Sequence, residues 1–397
     1  MKKLVLFGAG KIGRSFIGQL FSRSGYEVVF IDVFAPVIEA LNRYHAYKVV
    51  IKSNEGDDII VVKNVRGLLA SDTEAVIAEL TTADICAVSV GQQGLEAIMP
   101  LIAAALQQRY IEKKSPLDII IAENLRNAAD FFQHKLAALL PPLFPLQAMT
   151  GLVETSIGKM VPIMPRKDME KDILQVFAEP YNTLIVDKKA FKNPIPVIES
   201  LAPKDNMKAW VDRKLFIHNL GHAATAYCGY CKNPQWTYIW EVLTDETIKT
   251  QVRGAMMQSA VILMAMYPGE FTLQQLEEHI DDLISRFENR ALGDTVYRVG
   301  CDLFRKLSKE DRLVGAICNA RKLQLPYNKI LEVLFCAFRF RATDEQGNMF
   351  PADKKFADIY ANNIPKALIE VCGFDIVADT DIIRLSNLYT QDRETTT

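Results

Sequence analysis

The chain has 397 residues, of which 49% are hydrophobic, and this length predicts two or three domains. Its net charge of −2 argues against a surface that binds nucleic acid along the whole chain. No apolar run spans a bilayer or makes a signal peptide, and the seven cysteines are scattered, which predicts a cytoplasmic protein without membrane partners or disulfides.

The first predicted element is a buried strand, residues 4–7, that runs directly into a glycine-rich turn. The turn consists of Gly8, Ala9, Gly10, Lys11, Ile12 and Gly13. A helical pattern follows, and then a second apolar run that ends at Asp32. This order of strand, glycine turn, helix, strand and acid is the dinucleotide-binding fingerprint. The start of the chain is therefore predicted to bind NAD or, as the competing cofactor, FAD.

Each glycine of this turn has a mechanical role in the fingerprint. Gly8 permits the tight turn, Gly10 lets the backbone approach a pyrophosphate, and Gly13 allows the helix to pack closely on the strand. The helix N-terminus offers N–H groups to the phosphates. Asp32 is expected to bind the adenosine ribose hydroxyls and to repel a 2′-phosphate, which favours NAD over NADP. Arg14 is expected either to contact a phosphate or to be solvated.

Two later strands end in residues suited to a ligand site. Residues 85–90 form a predicted strand whose end, Val90-Gly91, brings backbone close to the cofactor. Residues 118–122 form the next strand, which Asn124 follows closely. Because ligands bind beyond the carboxyl ends of strands in open α/β sheets, Asn124 is predicted to meet the substrate. The alternative is an asparagine that caps the following helix.

The periodicity changes from mixed α/β to helical in the second half of the chain. We therefore predict an α/β Rossmann-type domain over residues 1–195 and a mainly helical substrate and catalytic domain over residues 196–397. The helices of the second domain are predicted at residues 248–266, 273–287, 313–323 and 330–338. The polar tail, residues 392–397, is predicted to be mobile.

A lysine, a carboxamide and an imidazole recur at helical spacing in the second half. On an α-helix Lys214, Asn219 and His222 fall within an arc of roughly 140°. A lysine desolvated in a cleft can lose its proton near neutral pH and act as the base in alcohol oxidation. Asn219 and Asn124 could hold the developing alkoxide, and His222 a neighbouring hydroxyl. Taken singly, Lys214 is more often a solvated lysine and His222 a structural histidine.

A metal site competes for the same stretch. His218 and His222 are four residues apart, and Cys228 and Cys231 form a Cys-x-x-Cys pair. Histidines and paired cysteines are typical zinc ligands. The pair is single, however, and neither a second cysteine pair nor a downstream histidine pair follows, so the prediction is that no metal is bound.

The motifs together resemble those of the polyol-specific long-chain dehydrogenases, over nearly the whole chain. The resemblance rests on the N-terminal glycine turn, on Ala122-Glu-Asn124, on the Lys-x4-Asn-x2-His pattern and on Arg286-Phe-Glu-Asn289. It continues through Arg298-Val-Gly300 and Arg305-Lys-Leu-Ser308. Within the family the chain is most similar to the branch that interconverts mannitol 1-phosphate and fructose 6-phosphate.

The resemblance implies a metal-independent, NAD-dependent enzyme that acts on a small polyol or sugar phosphate. Members of the family are commonly monomers, and we expect a monomer or a weak homo-oligomer. It implies that Lys214 is the general base, that Asn219 and Asn124 form the oxyanion hole, and that His222 contacts substrate hydroxyls. Arg298 and Lys306 have the spacing of two further substrate-binding cations. Their alternative is surface charge, because Arg305, Lys306 and Lys309 form a basic cluster.

The chain departs from the family pattern at Lys11, at Gly158-Lys159 and at Leu220. These departures leave the predicted base and oxyanion hole unchanged. They affect the prediction of which substrate the enzyme uses. The open alternatives are a mannitol 2-dehydrogenase, a reductase of hexuronates such as tagaturonate or fructuronate, and a protein that binds NAD without catalysis.

Overall fold

A computed structural model describes residues 1–360, 363–384 and 386, so the tail for which mobility is predicted lies outside the described residues. The chain forms two compact units, Met1–Val211 and Asp212–Thr397. None of the described helices is long and apolar enough to cross a bilayer.

The first unit is built on parallel strands with helical connections. The strands are β1 (Lys3–Phe7), β2 (Glu27–Asp32), β3 (Ala46–Ser53), β4 (Gly56–Lys63), β5 (Val65–Leu69), β6 (Ile85–Val88), β7 (Leu117–Ile121), β8 (Thr150–Ser156), β9 (Val176–Ala178), β10 (Leu184–Asp187) and β11 (Leu201–Lys204). The helices up to the boundary are α1 (Gln19–Arg23), α2 (Ala35–Tyr44), α3 (Thr73–Thr81), α4 (Leu95–Ile111), α5 (Ala128–Leu139), α6 (Leu146–Met149), α7 (Arg166–Lys171) and α8 (Met207–Arg213).

The main sheet has the strand order of a dinucleotide-binding fold. Its order is β11-β10-β8-β7-β6-β1-β2-β5, and all neighbours from β5 to β8 are parallel. Counted along these six strands, this is the order 3-2-1-4-5-6, which reverses between β1 and β6. The predicted Rossmann-type domain is therefore confirmed. In such sheets the ligand crevice lies at this reversal, beyond the carboxyl ends of the strands.

The central strands are buried on both faces, as their continuous apolar runs predict. Leu4 and Leu6 of β1 pack into one apolar cluster, and Val5 and Phe7 pack into the cluster on the opposite face. All four side chains are at most 1% exposed. Alternate residues of a strand point to opposite faces, so helices must cover both sides of the sheet.

A small second sheet was not predicted. Strands β3 and β4 form an antiparallel hairpin, and β9 adds to β3 in parallel. The hairpin lies between α2 and β5, where an uninterrupted βαβ unit is the simpler expectation from the fingerprint.

The second unit is helical, as predicted. Its helices are α9 (Leu220–Lys232), α10 (Ile239–Val242), α11 (Glu246–Met266), α12 (Leu273–Phe287), α13 (Val296–Gly300), α14 (Leu303–Lys306), α15 (Val314–Lys322), α16 (Asn328–Ala337), α17 (Pro351–Tyr360) and α18 (Ile364–Glu370). The four helices predicted from periodicity correspond to α11, α12, α15 and α16.

The boundary between the units falls later than residues 195/196, where the sequence pattern places it. Strand β11 pairs in parallel with β10 and so extends the sheet of the first unit. The Ser156 hydroxyl also donates to the Trp210 carbonyl at 3.1 Å. These hydrogen bonds hold the segment after residue 195 in the first unit.

Two helical segments are wound as π-helix, Gly13–Gly18 and Lys214–Asn219. A π-turn closes its hydrogen bonds between residues i and i+5 and is frequent at functional sites. One of these segments follows the glycine turn, and the other contains the predicted lysine base. No sequence pattern used above distinguishes π-helix from α-helix.

Candidate active site

The glycine turn is fixed by its packing against the end of β6. Gly8 has a φ of +96°, and a Cβ there would lie 2.3 Å from the Ser89 carbonyl oxygen. A Cβ on Gly13 would lie 2.0 Å from the Gly8 carbonyl oxygen. Both positions therefore exclude any side chain, which agrees with the tight turn and the close helix packing predicted for them.

Gly10 differs from these two glycines, because a Cβ there meets nothing within 4 Å. The fold itself does not require glycine at this position, and the space beside it is open. A backbone that a pyrophosphate approaches needs such space. Lys11 beside it is exposed, and Ile12 packs against the apolar cluster of this face.

The Asp32 carboxylate is tied to the glycine turn. One carboxylate oxygen accepts the Ala9 backbone N–H at 2.7 Å, and the other accepts that of Phe34 at 3.0 Å. Asp32 is the last residue of β2 and remains partly exposed. Its negative charge is thus held beside the turn, in the position from which a ribose diol can be bound and a 2′-phosphate repelled.

The Arg14 side chain is not solvated, and its observed hydrogen bonds go to backbone carbonyls of the protein. Its side chain is buried and donates to the carbonyls of Ala9, Ile173 and Leu174 at 2.6–2.9 Å. Tyr47 in turn donates its hydroxyl to the Arg14 carbonyl. Arg14 therefore braces the glycine turn against a later segment, and the expectation of a solvated arginine is wrong.

The ends of β6 and β7 are joined by the residues that follow them. The Glu123 carboxylate accepts the Gly91 backbone N–H at 2.7 Å, and Gln92 donates to the Asn124 carbonyl at 3.1 Å. Gly91 has a φ of +77°, which favours glycine, and Val90 precedes it. Burial raises the pKa of the Glu123 carboxyl. This corner places predicted cofactor and substrate residues at the carboxyl edge of the sheet.

Asn124 is exposed at this corner. It does not cap the following helix, since Asn127 occupies the N-cap of α5 and the Glu154 carboxylate accepts the Ala129 N–H. The capping alternative is therefore wrong. Asn124 belongs to the first unit, and the remaining predicted catalytic residues belong to the second.

The π-helical segment of the second unit aligns the predicted catalytic residues. Lys214 and Asn219 are its first and last residues, five apart, so they lie one π-turn apart on the same side. His222 follows Asn219 by three residues in α9 and shares its face. The angle that separates Lys214 from Asn219 around the helix axis is therefore smaller in this π-helix than it would be in an α-helix.

Side chains from other elements bind two carbonyls of this segment. Ser259 of α11 donates its hydroxyl to the Phe216 carbonyl at 2.6 Å. Arg312 donates to the Asn219 carbonyl at 3.4 Å. These bonds satisfy backbone groups around the turn and hold it against its neighbours.

Lys214 is desolvated and faces another cation. Burial, and secondly the charge of Arg312, lower the pKa of its ammonium to about 8. An amine with this pKa is partly neutral at physiological pH. Lys214 therefore has the proton affinity that a general base requires.

His222 and Arg298 share one buried carboxylate. His222 Nε2 lies 3.1 Å from one oxygen of Asp294, and Arg298 forms an ion pair with the other oxygen. Asp294 is 5% exposed, and the His222 ring stacks on Phe287 at 4.7 Å between centroids. Two residues predicted separately to bind substrate are thereby fixed by the same group.

Lys306 is buried, so the surface-charge alternative is wrong for it. It is 6% exposed, and its ammonium donates to the Val299 carbonyl at 2.7 Å. Burial, and secondly Arg312, lower its pKa to about 8. Asp353 caps the helix that carries it, by accepting the backbone N–H groups of Asp302 and Leu303.

The residues named for a zinc site are not arranged as one. His218 is buried against Phe287, and burial lowers its pKa well below the ordinary value. Cys231 donates its thiol to the Cys336 carbonyl. Over residues 1–360, 363–384 and 386, no group of three or more His, Cys, Asp or Glu side chains is placed to hold a metal ion.

Sequence reasoning missed Asp294, Arg312 and Asp353. An acid–base spacing of four residues, Asp294 to Arg298, is a weak signal that was available in the sequence. Nothing in the sequence indicates that Arg312 reaches a turn 93 residues earlier in the chain.

Comparisons with known proteins agree with both units. Residues 2–200 match the mannitol dehydrogenase Rossmann domain, and residues 206–376 match the mannitol dehydrogenase C-terminal domain. Among solved structures, a D-sorbitol dehydrogenase in substrate-free form is similar at a TM-score of 0.80 and 17% identity, over 98% of this chain and 93% of its own.

A mannitol 2-dehydrogenase of Pseudomonas fluorescens, solved with NAD and D-mannitol, is similar at a TM-score of 0.75 and 16% identity. This similarity covers 99% of this chain and 92% of that one. Identities this low establish the shared fold alone. The two domain matches span most of the chain, which therefore belongs to the mannitol dehydrogenase family, and the protein is an NAD-dependent polyol dehydrogenase.

Proposed function

We propose that this dehydrogenase interconverts mannitol 1-phosphate and fructose 6-phosphate, the activity of a mannitol-1-phosphate 5-dehydrogenase, without a metal. The observation that carries the proposal is Lys214, a desolvated lysine that shares one π-turn with Asn219. The phosphorylated substrate is supported by the resemblance of the sequence motifs. It is also supported by the buried cation Lys306, because a buried cation favours an anionic ligand.

In the proposed reaction each residue acts on a stated atom. Lys214, in its neutral form, takes the proton of the C5 hydroxyl as the C5–H bond breaks. Asn219, together with Asn124, donates hydrogen bonds to the oxygen as it gains negative charge and becomes the carbonyl of fructose 6-phosphate. NAD, when bound, accepts the pair of electrons and the hydrogen that leave C5. In the reverse direction protonated Lys214 returns the proton to the oxygen.

His222 and Arg298 are proposed to bind and orient the substrate. Their shared carboxylate, Asp294, lies 3.1 Å from Nε2 of the imidazole and forms an ion pair with Arg298. A ring stacked on Phe287 and placed beside this carboxylate has little freedom to turn. Such preorganisation lowers the cost of positioning a flexible polyol chain.

The residues of the first unit suit NAD in three respects. Gly10 leaves open space beside the turn, Gly8 and Gly13 fix the turn itself, and Asp32 presents a carboxylate beside it. NAD carries ribose hydroxyls at the position where NADP carries a phosphate. The negative charge of Asp32 therefore favours NAD over NADP, because it would repel the phosphate of NADP.

Replacing Asp32 with Ala is expected to raise KM for NADH by at least roughly 10- to 150-fold, the contribution of one charge-assisted hydrogen bond to the ribose. KM for NADPH should fall, since the repulsion of its 2′-phosphate is removed. Steady-state kinetics with both cofactors checks this. Asp72→Ala, which removes an exposed carboxylate that caps α3, is the control. An unchanged cofactor preference in Asp32→Ala would place the ribose elsewhere.

A second candidate function is the oxidation of an unphosphorylated polyol. The similarity to the mannitol 2-dehydrogenase solved with D-mannitol favours it. A hexuronate reductase is the third, since a carboxylate would also suit Lys306. These substrates differ in the charge that they present at the end remote from the reacting carbon.

The test is the rate of NADH oxidation with fructose 6-phosphate, fructose and tagaturonate in parallel, with a metal chelator present. The proposal predicts rapid oxidation with fructose 6-phosphate only. Rapid oxidation with fructose or tagaturonate alone would replace it with the corresponding candidate. No oxidation with any of the three would favour an NAD-binding protein without catalysis on these sugars.

A further inference from the structure

Three cationic side chains of the second unit lie on segments that contact one another: Arg312 donates to the carbonyl of Asn219, in the turn that begins at Lys214, and Asp311 lies 3.6 Å from Arg305, the residue before Lys306. The charge of Arg312 lowers the pKa values of both Lys214 and Lys306, which are themselves desolvated. Clustered like charges removed from water are costly unless an anion compensates them. Lys214 is accounted for by the proposed base. The other two cations have no role in the proton transfer.

Arg312 is incompletely satisfied by the protein. Its Nε donates to the Asp311 carboxylate at 2.7 Å, and Nη1 makes a long bond of 3.4 Å to the Asn219 carbonyl. Nη2 makes no hydrogen bond within the described residues, although the side chain is only 11% exposed. Asp311 also lies 3.6 Å from Arg305, so its charge is shared between two arginines.

Lys306 is in a similar state. No carboxylate of residues 1–360, 363–384 and 386 lies within 4 Å of its ammonium, which donates one hydrogen bond to the Val299 carbonyl. The buried carboxylate of Asp353, whose pKa is raised by burial against the opposing charge of Lys306, accepts two backbone N–H groups. An ammonium has three donors, so Lys306 retains capacity for a ligand.

We propose that Arg312 and Lys306 bind the phosphate of the substrate, and that Arg312 is the residue that selects a phosphorylated polyol over a free one. The inference rests on the proposed function and names the part of the site that recognises the phosphomonoester. A guanidinium presents a planar fork of donors that matches phosphate oxygens, and Lys306 adds a point charge. The bond from Arg312 to the Asn219 carbonyl keeps this fork next to the catalytic turn.

The competing explanation is that Arg312 is structural and only holds the π-turn. The two explanations differ in what a substitution changes. A structural arginine would affect all substrates equally and would alter thermal stability. A phosphate-binding arginine affects phosphorylated substrates selectively, and inorganic phosphate competes for it.

The direct experiment is titration calorimetry of the full-length protein with inorganic phosphate. We expect the wild type to bind phosphate, Arg312→Gln to bind it roughly 10- to 150-fold more weakly, and Arg312→Lys to fall between them. Arg253→Gln is the matched control, because Arg253 forms exposed ion pairs with Glu277 and Asp281. Absence of binding to the wild type, or equal binding to Arg312→Gln, would overturn the proposal.

Turnover separates this inference from the proposed function. Arg312→Gln should raise KM for fructose 6-phosphate by the same factor and KM for fructose much less, so that the ratio of kcat/KM for fructose 6-phosphate to kcat/KM for fructose falls. If the wild type prefers fructose 6-phosphate and Arg312→Gln keeps the same KM, the function stands and the role of Arg312 is wrong. If the wild type does not use fructose 6-phosphate, the proposed function fails, and calorimetry alone decides whether Arg312 binds phosphate.

Thermal unfolding of each variant is measured alongside. If Arg312→Gln does not fold, Lys306→Met provides the second test, with weaker phosphate binding expected. Phosphate binding as tight as that of the wild type in both Lys306→Met and Arg312→Lys would then overturn the proposal.

Discussion

Replacing Lys214 with Met is expected to lower kcat by about 10²- to 10⁴-fold in both directions, the usual contribution of a general acid–base residue. Methionine keeps the volume of the aliphatic stem and removes the amine, so the π-turn and its neighbours should stay in place. NADH binding, measured by fluorescence, should be nearly unchanged, because the cofactor residues belong to the first unit.

The matched control is Lys232→Met, at the last residue of α9, where the lysine is exposed and paired with Asp245. It should retain wild-type kcat. Near-normal turnover in Lys214→Met would contradict the assignment of the base. Rescue of that variant by added primary amines would support it.

The pH dependence of the wild type follows from the pKa of Lys214, about 8. Alcohol oxidation needs the neutral amine, so its rate should rise as the pH increases through about 8. Ketone reduction needs the ammonium, so its rate should fall over the same interval. Lys214→Met should lose this inflection in both directions. An inflection that persists in the variant would assign it to another group, of which Lys306 is the first to examine.

Asp294→Asn is expected to lower kcat/KM by roughly 10- to 100-fold, the range found when a group that orients a ligand-binding residue is removed. The substitution preserves shape and removes the charge that His222 and Arg298 share. Arg298 then lacks its partner, and the imidazole can rotate or change tautomer. The effect should appear mainly in KM for the substrate, with KM for NADH unchanged.

Because Asp294 is buried, a loss of stability must be separated from a loss of positioning. Asp294→Glu keeps the charge and should recover part of the activity, and thermal unfolding reports the folding of each variant. Asp281→Asn, an exposed carboxylate paired with Arg253, is the control. Equal losses in kcat for all substrates and a lowered unfolding temperature, without a change in KM, would indicate a purely structural role.

The sequence predicts those parts of the molecule that depend on local chemistry. The glycine turn is identified because Gly8 and Gly13 permit contacts that no other residue allows, and these contacts are observed. Helices α11 and α12 are identified because their apolar residues recur with the helical period. The shared helical face of Lys214, Asn219 and His222, the proposed catalytic residues, follows from the same periodicity.

The features that escaped prediction depend on contacts between distant segments. The π-turn at Lys214–Asn219 has carbonyls bound by Ser259 and Arg312, and no local pattern encodes those partners. The burial of Lys306 is equally invisible, because its sequence neighbours are charged and suggest a surface. Asp294 is recognised as a shared partner only once α13 is placed beside α9.

The measurement that tests the central claim most directly uses mannitol 1-phosphate deuterated at C5, with NAD and a metal chelator. The account predicts that the deuterium appears in the dihydronicotinamide, that fructose 6-phosphate forms in equal amount, and that Lys214→Met slows both by about 10²- to 10⁴-fold. Deuterium that exchanges into water, or a product oxidised at another carbon, would contradict the proposed substrate and chemistry.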